Sequence, residues 1–210
     1  MPEFYRKVAL TPDAYLRCIS MIRAIECYVY SIYPTAQYSS VWWISDINTP
    51  IALFYDTETS GLRQEEMQGV VWDQMCNTVP GVKDFFDAYG LAYTFAKGFD
   101  NVYHPHRHTY PLSSRWTLTF LQKNAENSPV KFYAVDDSEY DVYEYQLRPG
   151  AIATAVEEVI VDSGEVYSFN AWQWHNWVPK HEKTEYTVFT LANVLTKDQM
   201  ITAIDRIESA

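Results

Sequence analysis

The sequence lacks an uninterrupted apolar run of the about eighteen residues that a membrane-spanning helix needs, although 48% of its 210 residues are hydrophobic. Cysteine is scarce as well, and Cys18, Cys27 and Cys76 neither pair evenly nor show the spacing of a metal site. The first residues also lack a basic segment followed by an apolar one, the pattern of a secretory signal. We therefore expect a soluble, cytoplasmic protein whose thiols are core residues.

The chain also has fewer positively charged than negatively charged residues. The chain has 16 Lys and Arg residues against 27 Asp and Glu residues, a formal net charge of -11. The field of such a protein opposes nonspecific binding to phosphate groups. We expect neither nucleic acid nor a membrane as a partner, and expect a small-molecule or peptide substrate instead. The sequence leaves the oligomeric state open.

Repeats, linkers and low-complexity tracts are also absent, so residues 1–210 are predicted to form one domain. Its first part, residues 1–90, is predicted to be a mostly helical flank, with two strands around a turn at 41–55. Gly90 stands where a helix would end. Apolar residues recur at helical spacing in three segments of this flank: 11–34, 62–75 and 82–89.

Residues 91–195 consist of short β-branched and aromatic runs separated by turns, and residues 196–210 are predicted to hold a last helix, at 196–207. So many strands without an intervening helix favour an antiparallel sandwich or barrel. The predicted fold class is therefore mainly β with flanking helices, α+β. Nine runs are predicted strands: 91–95, 102–108, 115–121, 130–135, 142–147, 151–155, 159–161, 166–169 and 185–194.

Four of the five histidines fall in two places, with His104, His106 and His108 in one and His175 in the other. Residues two apart in a strand share a face, so neighbouring members of the first group can chelate one ion. His175 precedes another predicted strand, and the β core could bring it across from the first group. Imidazoles with open coordination positions suit iron(II), zinc, manganese, nickel or copper, so the residue types do not choose the metal.

The spacing of these histidines resembles the two cupin motifs. Gly98 is followed by His104 and His106 as in the first motif, and Gly164 is followed eleven residues later by His175 as in the second.

A closer resemblance is to the aspartyl/asparaginyl β-hydroxylase family of iron(II) and 2-oxoglutarate oxygenases. In that family a metal-binding histidine is followed nine residues on by an arginine in a strand, and then by a glycine-hydrophobic segment that leads to a second histidine. Here His106 is followed by Arg115, and Gly164 begins the segment that leads to His175. The match covers roughly residues 95 to 195. The resemblance implies a double-stranded β-helix, or jelly-roll, core.

The resemblance also implies a site. His106 and His175 would bind iron(II), and His108 would occupy the position of the usual third ligand, an aspartate. A neutral set of ligands would leave the metal its full charge and a stronger pull on anions. Arg115 would face the metal cavity and bind a carboxylate of 2-oxoglutarate with its planar fork.

One position departs from the family. Its members normally carry an arginine about ten residues beyond the second histidine to hold the far carboxylate of 2-oxoglutarate, and this chain has Glu185 there. A carboxylate at that position would repel the co-substrate. Lys183, two residues earlier on the same strand parity, could replace the arginine, and Lys180 is an alternative from the loop.

Three functions stay open. The first is a nonheme iron(II) dioxygenase that hydroxylates an amino acid, peptide or small molecule with O2 and 2-oxoglutarate. The second is a cupin metalloenzyme without 2-oxoglutarate, such as a thiol dioxygenase, an isomerase or a lyase, in which Tyr103 or Tyr110 would be the acid or base. The third is a noncatalytic β-sandwich that binds a partner through Trp42 and Trp43. Whether the tryptophans around His175 line a pocket or pack in the core also stays open.

Overall fold

A computed structural model of the chain describes most of the helices and strands. The residues it describes are 4–32, 34, 41–44, 51–56, 61–66, 72–90, 94–98, 105–107, 116–123, 128–135, 152–177, 187–193 and 196–210. Its helices are α1 (Pro12–Ile32), α2 (Trp72–Thr78), α3 (Val82–Tyr89) and α4 (Lys197–Ser209). Its strands are β1 (Tyr5–Val8), β2 (Val41–Ile44), β3 (Ile51–Asp56), β4 (Gly61–Glu66), β5 (Thr94–Gly98), β6 (Trp116–Lys123), β7 (Ser128–Val135), β8 (Ala153–Val161), β9 (Val166–Asn170), β10 (Trp174–Trp177) and β11 (Thr187–Asn193).

The strands form antiparallel sheets. A six-stranded sheet has the order β1-β9-β6-β11-β5-β2, a three-stranded sheet has the order β10-β7-β8, and β3 pairs with β4. An isolated bridge between His106 and His175 extends the three-stranded sheet beyond β10. From β5 onward the chain therefore passes repeatedly between the two larger sheets. Two antiparallel sheets with flanking helices agree with the predicted α+β class.

The helices cover one face of the six-stranded sheet. On β6, alternation of side chains turns Trp116, Leu118 and Phe120 toward them. Helix α1 presents apolar residues at helical spacing, including the fully buried Ile22 and Ile25, to the same core. Full burial of each such side chain contributes about 1.5–3 kcal/mol to the free energy of unfolding.

The opposite face of this sheet meets the three-stranded sheet. Tyr167 and Phe169 of β9 pack there with residues of the smaller sheet, including Val130, Phe132 and Val159. This second core is the interior of a sandwich, with alternate residues of each strand pointing into it. The candidate site lies beside this core, where Phe132 contacts His175.

The ends of two helices agree with the sequence signals. Gly90 ends α3 with a φ of 64°, a left-handed conformation that glycine adopts without steric cost, and its N–H donates to carbonyls of the last turn. At α4, the hydroxyl of Thr196 accepts from the Gln199 N–H (3.3 Å) while the Gln199 side chain accepts from the Thr196 N–H (2.9 Å). This reciprocal pair is a capping box.

Several sequence predictions need correction. The segment 62–75, predicted to be one helix, forms strand β4 and then α2, because pairing with the apolar β3 outweighs a local period that Gly69 already interrupts. The predicted strands 151–155 and 159–161 are one strand, β8. Strands β1 and β10 were not predicted. The first ninety residues are also more than a helical flank, because β1 and β2 belong to the large sheet. The predicted strand 142–147 lies outside the described residues. The single-domain division stays a prediction.

The cysteines differ in their surroundings. Cys18 is fully buried in the helix-side core, where burial raises the pKa of its thiol to about 12. Cys76 is half-buried, and burial together with the nearby Asp73 raises the pKa of its thiol. Cys27 is exposed, so the prediction of a core role is wrong for this residue, which lies on the outer side of α1.

Within the described segments, no helix combines the length and the apolar character needed to cross a bilayer.

Candidate functional site

Two of the predicted metal ligands lie side by side. The His106 N–H donates to the His175 carbonyl (3.0 Å), and the His175 N–H donates to the His106 carbonyl (2.9 Å). Residues that exchange both hydrogen bonds in an antiparallel pair point their side chains to the same face. The two imidazole ring centroids are 4.6 Å apart, with their planes at 50°. The β core thus brings together histidines that are 69 residues apart in the sequence.

A backbone carbonyl sets the tautomer of His175. Its Nδ1 atom is 2.7 Å from the Gln173 carbonyl oxygen, which can only accept a hydrogen bond. Nδ1 therefore carries the proton, and the ring lone pair lies on Nε2, the atom able to bind a metal. The side chain is only 8% exposed, so its orientation is held by packing as well as by this bond.

The geometry of the pair fits chelation of one ion. Two imidazoles bound at about 2.1 Å in adjacent positions around a metal would have ring centroids about 4.5 Å apart, close to the observed separation. Among the residues that the structure describes, no group of three His, Cys, Asp or Glu side chains could hold a metal. A third protein ligand would have to come from elsewhere in the chain.

The remaining predicted site residues cannot be placed. His104, His108, Arg115, Lys183 and Glu185 lie outside the described residues, so their predicted roles stay predictions. The same holds for Tyr103, Tyr110 and Lys180, and for the side chains of Trp42 and Trp43.

Aromatic side chains form the floor beside His175. Phe132 lies opposite His175 in the register, and the two ring centroids are 6.3 Å apart. Phe169 approaches Phe132 from the large sheet, at 6.2 Å. Tyr5 at the start of β1 and the preceding Phe4 stack on Phe132, with ring centroids at 5.9 Å and 5.5 Å. An apolar floor of this kind excludes water from the region beside the imidazoles.

Two threonines face the interior from β6. Thr117 pairs with Phe169 and Thr119 with Tyr167, both inward-facing residues of β9. The two hydroxyls are buried and 3.2 Å apart. They add polar groups to an otherwise apolar wall of the large sheet.

The neighbours of His175 on β10 lie on the other face of the small sheet, because side chains alternate along a strand. Trp174 is 3% exposed, with the Arg107 guanidinium carbon 4.9 Å from its ring centroid. Asn176 accepts a hydrogen bond from the Tyr133 hydroxyl (2.8 Å), and burial raises the pKa of that tyrosine. Trp174 is therefore packed away from the imidazoles, while Trp172 is 44% exposed.

Gln173 contacts the imidazole through its backbone. Its carbonyl, not its side chain, contacts His175, and its side-chain amide donates to the Tyr133 carbonyl (2.5 Å). The side chain of Asn176, the next residue after His175, points to the opposite face of the sheet. Sequence adjacency does not distinguish these possibilities, since the alternation of β10 decides them.

Glu157 shares the inner face of the small sheet with Phe132 and His175, which no signal in the sequence had indicated. It stands opposite Phe132 in the register and is half-buried. Glu157 and Glu158 stand between the two strands that were predicted at 151–155 and 159–161. A continuous β-branched run with one charged pair inside it was the available signal for a single strand.

Similarity of the chain to known proteins is found among solved structures. No protein-family model matches the chain, and no curated protein matches its sequence. Among solved structures, the non-heme alpha ketoglutarate dependent epimerase SnoN from nogalamycin biosynthesis has 12% identity and a TM-score of 0.37, with 90% of this chain and 77% of that chain covered. AviO1 from Streptomyces viridochromogenes Tue57 has 13% identity and a TM-score of 0.37, with 90% and 88% covered. Such values do not assign a function to this chain.

Proposed function

We propose that the protein is a nonheme iron(II) enzyme that hydroxylates an amino acid, peptide or small molecule with O2 and 2-oxoglutarate. The observation that carries the proposal is the pairing of His106 with His175 on the inner face of a β-sandwich, with the Nε2 lone pair of His175 set by Gln173. His108 is the proposed third ligand, by its spacing from His106.

The strand connections support a jelly-roll core. Strand β5 lies in the large sheet, and the chain then reaches the small sheet at the His106 bridge. It returns to the large sheet at β6 and crosses to the small sheet at β7 and β8. Strand β9 is again in the large sheet, β10 in the small sheet and β11 in the large sheet. Passage of the chain between two packed antiparallel sheets in this way is typical of a jelly roll. The aspartyl/asparaginyl β-hydroxylase resemblance proposed from the sequence has the same core.

The chain's own groups have separate tasks in this proposal. The two imidazoles hold the metal, and the Gln173 carbonyl keeps His175 in the tautomer that can bind it. Phe132 and Phe169 keep water away from the reacting region. Arg115 is proposed to bind a carboxylate of 2-oxoglutarate, with Lys183 as the second cation. Bound iron(II) would supply the activation of O2 that side chains cannot provide.

Glu185 favours a second candidate. A carboxylate where the family has its arginine would repel the far end of 2-oxoglutarate. A cupin metalloenzyme that binds its substrate directly, without this co-substrate, has no need of that arginine. The same pair of histidines would hold its metal.

Anaerobic titration of the iron(II)-loaded protein with 2-oxoglutarate tests the proposal and separates the two candidates. A chelated oxo acid gives a weak visible absorption band, which we expect in the wild type and not in His175→Ala. His181→Ala is the matched control, since this fifth histidine belongs to neither cluster, and it should retain the band. Stoichiometric iron without a band would favour the cupin without 2-oxoglutarate, and absence of bound metal would contradict both.

A further inference from the structure

One of two adjacent glutamates on β8 faces the same interior as the candidate site, directly beside a β-bulge. In the pairing of β7 with β8, Glu157 is opposite Phe132 while Ala155 is opposite Tyr133, so that Val156 is an additional residue between them. Bulges occur frequently next to active sites, where they change the direction of a side chain. Here Glu158 remains on the outer face and Glu157 shares the inner face with Phe132.

Glu157 lies in one row with the histidine pair. Across the small sheet, His106 pairs with His175, His175 with Phe132, and Phe132 with Glu157. Directly opposed residues of antiparallel strands have Cα atoms about 5 Å apart, which separates the Cα atoms of His175 and Glu157 by about 10 Å. Glu157 is therefore too far to join the imidazoles on one ion but faces the same interior.

The burial of β8 places Glu157 at the opening of the sandwich. Val161 is fully buried and Val159 is 8% exposed, whereas Glu157 is half-buried and Thr154 is exposed. His175 stands at the same level of the small sheet, because it shares a row with Glu157. The two residues thus border one shallow region lined below by Phe132.

The charge of Glu157 is not compensated within the described part of the chain. Lys131, on the outer face, pairs with Glu158 at 3.4 Å, and none of the described cations forms an ion pair with Glu157. A half-buried carboxylate beside an apolar floor attracts a cation more strongly than a carboxylate in bulk water does. Charge-assisted hydrogen bonds to such a group are also stronger than neutral ones.

We propose that Glu157 binds a positively charged group of the substrate, so that the substrate carries an amine or a guanidinium group, either free or in a peptide side chain. The assignment of the histidine pair as the reacting end rests on the proposed function. The distance of about 10 Å between the Cα atoms of His175 and Glu157 leaves space for a chain of a few carbon atoms, comparable to the side chain of lysine or arginine. Glu157 would then set specificity and position the substrate relative to the imidazoles.

The experiment compares cations with neutral analogues of similar shape. L-Arginine against L-citrulline and L-lysine against L-norleucine, each also as the central residue of a capped tripeptide, are titrated by calorimetry into the full chain, with and without iron(II) under anaerobic conditions. We expect at least one cation to bind about tenfold or more tightly than its neutral analogue. Glu157→Gln should abolish this preference, and Glu157→Asp should retain part of it.

Glu158→Gln is the matched control, because it removes the neighbouring charge on the outer face, and it should leave the preference unchanged. Absence of any preference in the wild type, or its persistence in Glu157→Gln, would overturn the proposal. Should Glu157→Gln fail to fold, NMR shifts of the His175 ring on addition of arginine but not citrulline to the wild type test the same point. Because binding is also measured without metal, loss of the proposed iron chemistry would not by itself remove the cation preference.

Discussion

Lys7, Glu165 and Tyr167 form a polar network at the edge of the sandwich. Lys7 is ion-paired with Glu165, which also accepts hydrogen bonds from the Tyr167 hydroxyl (2.7 Å) and the Asp162 N–H (3.0 Å). Partial burial alone would raise the pKa of Glu165, but these donors outweigh it and lower that pKa below its ordinary value. Burial, together with Glu165, raises the pKa of Tyr167.

The lowered pKa of Glu165 gives a stability that depends on pH. Its ionised form is favoured in the folded state, so its contribution is complete above the unfolded pKa of about 4.3 and is lost as the pH falls through the folded pKa. Glu165→Gln should lower the free energy of unfolding at pH 7 by about 1 kcal/mol or less, because Lys7 is largely exposed. Urea denaturation from pH 7 to pH 3 should show this difference shrinking below about pH 4.5.

Glu158→Gln serves as the comparison for that series, since its pair with Lys131 is exposed and longer, at 3.4 Å. It should change the free energy of unfolding little at any pH. A deficit in Glu165→Gln that stayed constant down to pH 3 would contradict a role for the Glu165 charge.

Among the elements, strand β8 depends on pairing with another strand, whereas the start of helix α4 depends on residues within the helix itself. The β-branched run of β8 contains Glu157 and Glu158, which lie between the two separately predicted strands, yet pairing with β7 continues the strand through a bulge. Helix α4 depends less on distant contacts at its start, because Thr196 and Gln199 satisfy each other's backbone groups.

The cap of α4 gives a prediction at this scale. Thr196→Ala removes the hydroxyl that accepts from the Gln199 N–H, and should lower the free energy of unfolding by about 1 kcal/mol. Thr202→Ala is the matched control, an exposed position within the same helix where alanine is the better helix former. Chemical denaturation of both variants checks this, and an equal loss in the two would contradict the capping role.

For the whole molecule, the His106–His175 bridge joins the edge of the small sheet to a segment far away in sequence. An ion bound by both imidazoles would stabilise this connection, because a ligand that binds only the folded state raises its stability. A divalent metal at about 100 times its dissociation constant adds about 2.7 kcal/mol, which raises the Tm of a chain of this size by several degrees.

Thermal denaturation with and without zinc, manganese or iron(II) measures this effect. The increase in Tm should disappear in His106→Ala and in His175→Ala, and removal of metal by a chelator should reverse it in the wild type. His181→Ala should behave as the wild type does. A metal-dependent increase that survived both substitutions in the histidine pair would place the metal elsewhere.

The sequence by itself determined the elements whose signals are local. Helix α1 follows from apolar spacing, the end of α3 from Gly90, and the start of α4 from Thr196. The β character of the second half follows from its β-branched runs. The histidines of the two clusters also predicted a metal site, which stays a prediction.

Only the tertiary structure decided what depends on register between distant strands. Pairing, not sequence spacing, selects His106 to face His175, turns Asn176 away from it, and brings Glu157 into the same row. The segment 62–75 was wrongly predicted to be a helix for the same reason. Its first part pairs with β3, and the spacing of apolar residues within the segment carries no information about that pairing. A shift of one residue in register reverses the face of every side chain, and register is set by the packing of the two sheets.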